Sequence, residues 1–308
     1  MKYETVKLCI NNLEQSMIDT LSFWSKPLLL ESFAKRDDAL CYYLAVVENN
    51  KILALMPVFE KKKFGLRYLV QPMEYYYTPI NFFSLENYSV HRKQNHRLMI
   101  LKALAVYIKK EYFKINLRFE RSIQDIRAFK WVGLKAEPLF TYIIKINEYS
   151  SEKLPNETRR QLNNKAKKEL MVKECRDMKI YKDISINMLN RKKRSFRQIE
   201  TKYINFLDEL HAANLCVQYV VFKDDEPLTY NIILLDRQHK YIYGFLSATS
   251  DKGMKFGANI FCIDHIIKNH SDFEIFDFTG ANTEKISFFK SQFNCDLKNY
   301  YKINKLFF

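Results

Sequence analysis

Groups able to attack, carry a proton, hold a metal or neutralise charge are sparsely clustered in this chain of 308 residues. The six cysteines stand at 9, 41, 175, 216, 262 and 295 with no Cys-x-x-Cys pair, which predicts reduced, mostly buried thiols and no disulfide frame. The histidines are equally dispersed. His265 and His270 lie five apart on a helical stretch, a spacing that does not converge on one ion, so no metal site is expected. No Ser-His-Asp or Cys-His pattern is present, which argues against a covalent intermediate on the protein. What remains is positive charge. The chain carries +15, and residues 153–202 alone hold a surplus of ten, including the run RKKRSFR at 191–197. Such a segment is either a solvated helical face or a surface for a polyanion: tRNA or other nucleic acid, a nucleotide cofactor, or anionic lipid headgroups. Asp277 ends the apolar run FEIFDF, at the strand end where ligands often meet an α/β sheet. There it either orients an incoming group or caps the following loop.

These residues need elements to hold them. Hydrophobic residues make up 47% of the chain, enough for packed cores, and the six glycines and seven prolines argue against a turn-rich all-β protein. No 18-residue apolar run spans a membrane, and the N-terminus lacks the apolar core of a signal peptide, so a cytoplasmic location is expected. The length predicts about two domains. The polar stretch NEYSSEKLP at 147–155 marks their boundary, giving domains 1–150 and 151–308 and an α/β (α+β) fold class. The last strand is expected near the junction.

In the first half, a helix within 13–36 precedes two strand-like runs that turn at Asn49-Asn50, then a strand at 64–70. An aromatic loop (71–83), a helix (94–112), a strand (113–119), a short helix (123–131) and a strand (140–146) follow. The second half opens on a basic helix, 156–170, followed by a strand near 178–182 and an amphipathic helix, 200–213, burying Tyr203, Phe206, Leu207 and Leu210. A hairpin turning at Asp224-Asp225 and a strand at 240–248 lead into a Gly-punctuated loop, an apolar helix, the strand FEIFDF and a short helix ending in Phe289-Lys290.

The element order of the two halves is the same: hairpin, strand, helix, strand, short helix, strand. An ungapped offset of 160 pairs Ile100 with Ile260, Phe113 with Phe273, Ile115 with Ile275, Ile126 with Ile286, and Phe129-Lys130 with Phe289-Lys290. The pattern indicates an internal duplication of one α/β unit.

Two such halves resemble the tandem acyltransferase fold called GNAT, used twice in the Fem-type (FemAB-like) peptidoglycan-bridge aminoacyltransferases and their acetyltransferase relatives. The resemblance rests on ETRRQLNNKAKKE (157–169), YIYGFLSATSDKGMKFGAN (241–259), FEIFDFTGAN (273–282) and FFKSQFN (288–294). It implies two tandem GNAT-like domains, each a mixed, mainly antiparallel sheet flanked by helices. It also implies an N-acyltransferase that passes an acyl group from acetyl-CoA or another acyl-CoA to an amine by direct attack in a ternary complex. The alternative is a Fem-type enzyme using aminoacyl-tRNA on a cell-wall precursor, and a third reading is a non-catalytic tandem binding module.

Acetyl-CoA members hold the pyrophosphate where a Gly-rich loop enters a helix, an anion on backbone N–H groups. Lys252, Gly253, Lys255, Gly257 and Ala258 stand at that place, with two glycines four apart instead of a closely spaced set. The matching Gln94-Asn95-His96-Arg97 has no glycine, which makes the first copy structural or substrate-shaping. By the Fem-type resemblance Lys290 neutralises an oxygen during transfer, Phe289 shapes the pocket, and Arg159 and Arg160 lie on the basic helix that opens the second domain. Tyr243 stands where relatives carry a strand tyrosine facing the acceptor, although an alternating strand also buries such a residue. Asp277 is a substrate-binding candidate that orients the amine, or else caps the loop after the strand. The family's Phe-Lys is commonly followed by Phe-Gly; here Phe293 is followed by Asn294, which still tolerates a left-handed φ.

Overall fold

The computed structural model describes residues 3–83, 89–163, 169–193 and 200–305. It divides into two compact units, residues 1–139 with 299–308, and residues 140–298. Both are mixed α/β, with mainly antiparallel sheets flanked by helices.

Unit 1 is built on β1 (Glu4–Leu8), β2 (Leu40–Glu48), β3 (Lys51–Lys63), β4 (Leu66–Val70) and β6 (Lys114–Arg118), with a short β5 (Asn81–Phe82) beside β3. The β2–β3 hairpin turns at Asn49-Asn50, both in the left-handed region (φ 48° and 62°), the backbone a two-residue hairpin loop requires. β4 pairs β6 in parallel, and β6 pairs antiparallel with the C-terminal β13 (Asp296–Lys305), from Lys302↔Arg118 to Lys305↔Ile115. Strand alternation divides the side chains. Tyr42, Leu44, Val46, Met56 and Val58 pack with Ile100, Leu101, Leu104 and Ile108 of α3 (Val90–Glu111) and with Phe129 of α4 (Arg127–Trp131). Phe59 on β3 turns the other way, to Tyr75 (ring centres 4.9 Å apart), which also meets Phe33 of α2 (Pro27–Asp37). The helix expected within 13–36, with Met17, Leu21 and Trp24 on one face, is shorter than that spacing suggests. α1 (Gln15–Thr20) ends before a 3-10 turn at Phe23–Ser25, and Pro27 opens α2 at its first position, where a missing N–H costs nothing. Of the aromatic loop, Tyr75 and Tyr77 are buried.

Unit 2 runs in the strand order β7, β12, β11, β10, β9, β8, taking from β7 (Lys135–Lys145) the residues from Phe140 on. β8 is Met171–Glu174, β9 Cys216–Lys223, β10 Glu226–Asp236, β11 Tyr241–Thr249 and β12 Ile275–Asp277. Asp224-Asp225 makes the β9–β10 turn with φ of 48° and 62°. β11 and β12 pair in parallel for three residues, Tyr241↔Ile275 to Tyr243↔Asp277, beyond which β11 continues to Thr249 paired with β10.

The stretch near 178–182, expected as a strand, is the first turn of α6 (Met178–Lys192). Asp177 accepts from the N–H groups of Lys179 and Ile180, and Tyr181, Ile184, Ser185 and Leu189 are buried at helical spacing. α7 (Thr201–Ala212) buries Tyr203, Phe206, Leu207 and Leu210, as the periodicity predicts. α6 and α7 cover one face of the sheet, through Tyr181 against Tyr230 and Phe206 against Phe245. The other face carries Ile144, Tyr219, Val221, Leu228, Ile233, Leu235, Ile242 and Phe276. It packs on Ile260, Ile263, Ile266 and Ile267 of α9 (Ala258–Asn269). Of the basic helix, α5 spans Asn156–Gln161. Lys165, Lys167 and Lys168, and residues 194–197 of the basic run, lie outside the described residues.

Candidate active site

The turn that leaves β12 is a dense polar construction in unit 2. Asp277 is fully buried; its Oδ1 accepts from the Thr141 hydroxyl and the Thr279 N–H, both at 2.8 Å. The Thr141 hydroxyl oxygen in turn accepts from the Gly280 N–H at 2.9 Å, and the Thr279 hydroxyl donates to the Gly244 carbonyl on β11. Thr279 has φ 53° and Gly280 φ 110°. A β-branched residue in that region is strained, and here three hydrogen bonds around it hold the conformation.

Lys290 closes the turn from α10 (Glu284–Ser291). Its Nζ donates to the Phe278 carbonyl (2.5 Å) and to the Gly280 carbonyl, and it sits 5.5 Å from the centre of the Phe278 ring. Burial lowers its pKa to about 8, while the nearby Asp277 carboxylate works in the opposite direction. An ammonium has three N–H bonds. Two meet carbonyls, and the third has no hydrogen-bond partner among the described residues. Phe289 is half-buried, with its ring edge-on to Phe293 at 5.7 Å. Tyr243 is buried within the sheet, in register with Asp277 on β12 and Leu234 on β10, and its ring stacks on Tyr241 at 6.0 Å.

The glycine-bearing stretch has more regular structure than an open loop. Ser250 caps a short helix, α8 (Asp251–Lys255), by accepting from the Gly253 N–H at 3.0 Å. Gly253 is there for close approach: a Cβ would lie 2.5 Å from the Leu228 carbonyl oxygen. Gly257, at φ 65°, separates α8 from α9 and stands at the N-cap of α9 with no side-chain cap. The Gln161 side chain lies beside it, its Oε1 3.1 Å from where a Cβ would stand. Ala258 is buried, Lys252 pairs with Glu226, and Lys255 is exposed.

The predicted residues therefore fall into three places. Asp277, Tyr243 and Lys290 gather at the end of β12, with Phe289 next to Lys290. Residues 252–258 lie at the start of α9. Arg159 lines a cavity of ≈ 260 Å³ between α5 and α9 together with Asp264 and Lys268, and Arg160 is exposed. Asp264 accepts there from the Tyr149 hydroxyl (2.8 Å) and from Lys268 (2.7 Å). Thr141, Thr279 and Gly280 belong to the site without having been singled out. The run DFTG carries a turn signal for two of them; Thr141 is 136 residues from its partner Asp277 and carries none. Among the described residues no group of three or more His, Cys, Asp or Glu side chains is placed to hold a metal ion.

A parallel strand pair joined by a crossover helix, flanked by antiparallel hairpins and closed by an antiparallel strand, is the arrangement of a GNAT-type fold. Comparison with solved structures gives the same result. The chain is similar to the crystal structure of FemX, with TM-score 0.66 and 12% identity over 97% of this chain and 96% of that one. It is similar to L-PGS from Bacillus licheniformis (TM-score 0.58, 13% identity, 90% and 87% covered). It is also similar to a tandem GNAT protein from the clavulanic acid biosynthesis pathway (TM-score 0.56, 7% identity, 98% and 97% covered). No protein-family model matches the sequence, and no curated protein matches it.

Proposed function

We propose that unit 2 catalyses acyl transfer from a nucleotide-bearing acyl carrier to an amine by direct attack. The observation that carries this reading is Lys290, a part-buried ammonium fixed by two carbonyls at the end of β12 with one N–H left over among the described residues. The neutral amine adds to the acyl carbonyl, and the oxygen that gains negative charge takes the remaining N–H of Lys290. The bond from carbon to the carrier's sulfur or oxygen then breaks, and the proton lost by the amine goes to the leaving group. Asp277, locked by Thr141 and Thr279, fixes the turn that presents Lys290 and gives its charge a counterpart.

Acyl-CoA fits as donor. The β11–β12 ladder ends at Tyr243–Asp277, while β11 runs on from Gly244 to Thr249, roughly 17 Å at the usual rise of a strand. An extended acyl arm lying along that stretch would bring its phosphates toward the N-terminus of α9, where Gly257 leaves the first-turn N–H groups without a side-chain cap. Aminoacyl-tRNA is the second donor reading, favoured by one observation: Gly253 is consumed by packing against Leu228 and its N–H by Ser250, which leaves a single glycine for a phosphate. Titration calorimetry with acetyl-CoA and longer acyl-CoAs separates the two. Heat of binding that Gly257→Trp abolishes supports the first. No binding to any acyl-CoA, with a salt-sensitive gel shift on charged tRNA, moves the assignment to the second. Absence of both, with Lys290→Ala leaving every assayed acyl transfer unchanged, leaves a binding module.

A further inference from the structure

Unit 1 carries a surface feature that the acyl-transfer reading does not use. The β3–β4 hairpin pairs Lys61↔Tyr68, Lys62↔Arg67 and Lys63↔Leu66 and turns at Phe64-Gly65, with φ of 51° and 75°. Two-residue turns of this kind favour Asn, Asp or Gly, and the β2–β3 and β9–β10 turns use Asn49-Asn50 and Asp224-Asp225. A bulky aromatic residue at positive φ is an outlier. Phe64 gains no burial in return: it is 89% exposed. Neither turn geometry nor core packing accounts for a phenylalanine there.

Its surroundings are apolar and basic. Leu66 and Phe113 are 39% and 38% exposed, and Phe113 meets Tyr68 edge-on at 5.8 Å, tied to the hairpin by its N–H to the Arg67 carbonyl (2.8 Å). Alternation puts Leu66 and Tyr68 on the same hairpin face as Lys61 and Lys63. Residues 61–67 hold three lysines and an arginine and no acid, and exposed Lys110 and Lys114 flank Phe113. The nearby carboxylates are answered within the unit, Glu111 by Arg67 and Glu60 by Lys7 and Arg67. The β10–β11 connection, which holds the equivalent place in unit 2, reads Arg237-Gln238-His239-Lys240 and has no apolar residue.

We infer that the β3–β4 hairpin tip is a docking element for an anionic phospholipid surface, with Phe64 and Leu66 entering the headgroup layer and Lys61, Lys62, Lys63 and Lys114 meeting phosphates. An aromatic tip with a leucine beside it suits the acyl boundary; leucine offers nothing to a stacked base. No helix among the described residues is long and apolar enough to cross a membrane.

Co-sedimentation with vesicles of phosphatidylcholine, with and without phosphatidylglycerol, tests this at low and high salt. The wild-type chain should bind only the phosphatidylglycerol vesicles and release at high salt. Phe64→Asn puts a turn-favouring residue at the tip, so it should keep or raise thermal stability while weakening binding about tenfold. Replacing Lys61, Lys62 and Lys63 with Gln should weaken it about a hundredfold. In Phe64→Trp the tip fluorescence should shift to the blue with those vesicles alone. Vesicle binding that neither set of substitutions changes would overturn the inference, as would retention by a single-stranded oligonucleotide without any vesicle binding.

Discussion

The two copies of the repeated unit differ most where they align best. In unit 1 the crossover helix α3 runs unbroken from Val90 to Glu111; in unit 2 the same span is split into α8 and α9 by Gly257 at φ 65°. The residue opposite Gly257 is Arg97, whose guanidinium lies 5.1 Å from the Phe82 ring centre. After the following strand the contrast sharpens. Asp277, Thr279 and Gly280 are matched by Leu117, Phe119 and Glu120, with Leu117 and Phe119 in the apolar core of unit 1. The shared Phe-Lys is oriented differently: Phe129 is buried and Lys130 exposed, whereas Phe289 is half-buried and Lys290 reaches inward to two carbonyls. One scaffold thus carries two solutions, a sealed apolar turn and a strained polar one. In the polar solution Lys290 and Asp277 bring charge to the end of β12.

The strongest way to break that contrast is to remove the lysine from each copy. Lys290→Ala should lower kcat/KM roughly a hundred- to thousandfold, the usual effect of losing one oxyanion donor. Lys130→Ala should leave it within assay error. The pH profile sharpens the same point. With a pKa near 8, Lys290 loses its charge as pH rises through that value, so kcat/KM should fall on the alkaline side around pH 8. That limb should vanish in Lys290→Arg, which does not titrate there. The fold disfavours the charged form of this lysine, so its contribution to unfolding free energy should rise between about pH 8 and its ordinary value of 10.5.

Gly253→Ala comes next. Its Cβ would sit 2.5 Å from the Leu228 carbonyl oxygen, and urea unfolding should show a loss of about 1–3 kcal/mol. Lys93→Ala, at the aligned half-buried helical position, should be neutral. Thr141→Val takes one donor from Asp277 and leaves the Gly280 N–H unpaired. It should cost about 1–3 kcal/mol of stability, with a drop in kcat/KM well short of that of Lys290→Ala. An equal loss from Lys290→Ala and Thr141→Val in both assays would reduce Lys290 to a strut of the turn.

Local patterns were readable wherever a local cause governs structure. Paired Asn and Asp residues announced the β2–β3 and β9–β10 hairpins, and the spacing of Tyr203, Phe206, Leu207 and Leu210 announced α7. The 160-residue offset brought Phe289-Lys290 to attention before any coordinate did. The run at 178–182 misled because Ile180 and Tyr181 have strand-like propensity, while the deciding signal, the Asp177 cap followed by burial at Ile184, Ser185 and Leu189, extends over three turns. The glycine loop misled in a related way: Gly253 is required by a carbonyl 25 residues back, on another strand. The partners of Lys290 are backbone carbonyls, which have no letter in a sequence, and Thr141 joins Asp277 only through the order of strands.

That strand order has a consequence for the making of the molecule. Unit 1 completes its sheet with β13, residues that the ribosome delivers after all of unit 2. Throughout that interval β6 offers bare backbone N–H and C=O groups along an edge rich in apolar side chains, the kind of edge other chains can pair with. The first unit to be synthesised is therefore the last that can finish folding, and nascent chains stalled before Asn299 should be the ones that need a chaperone.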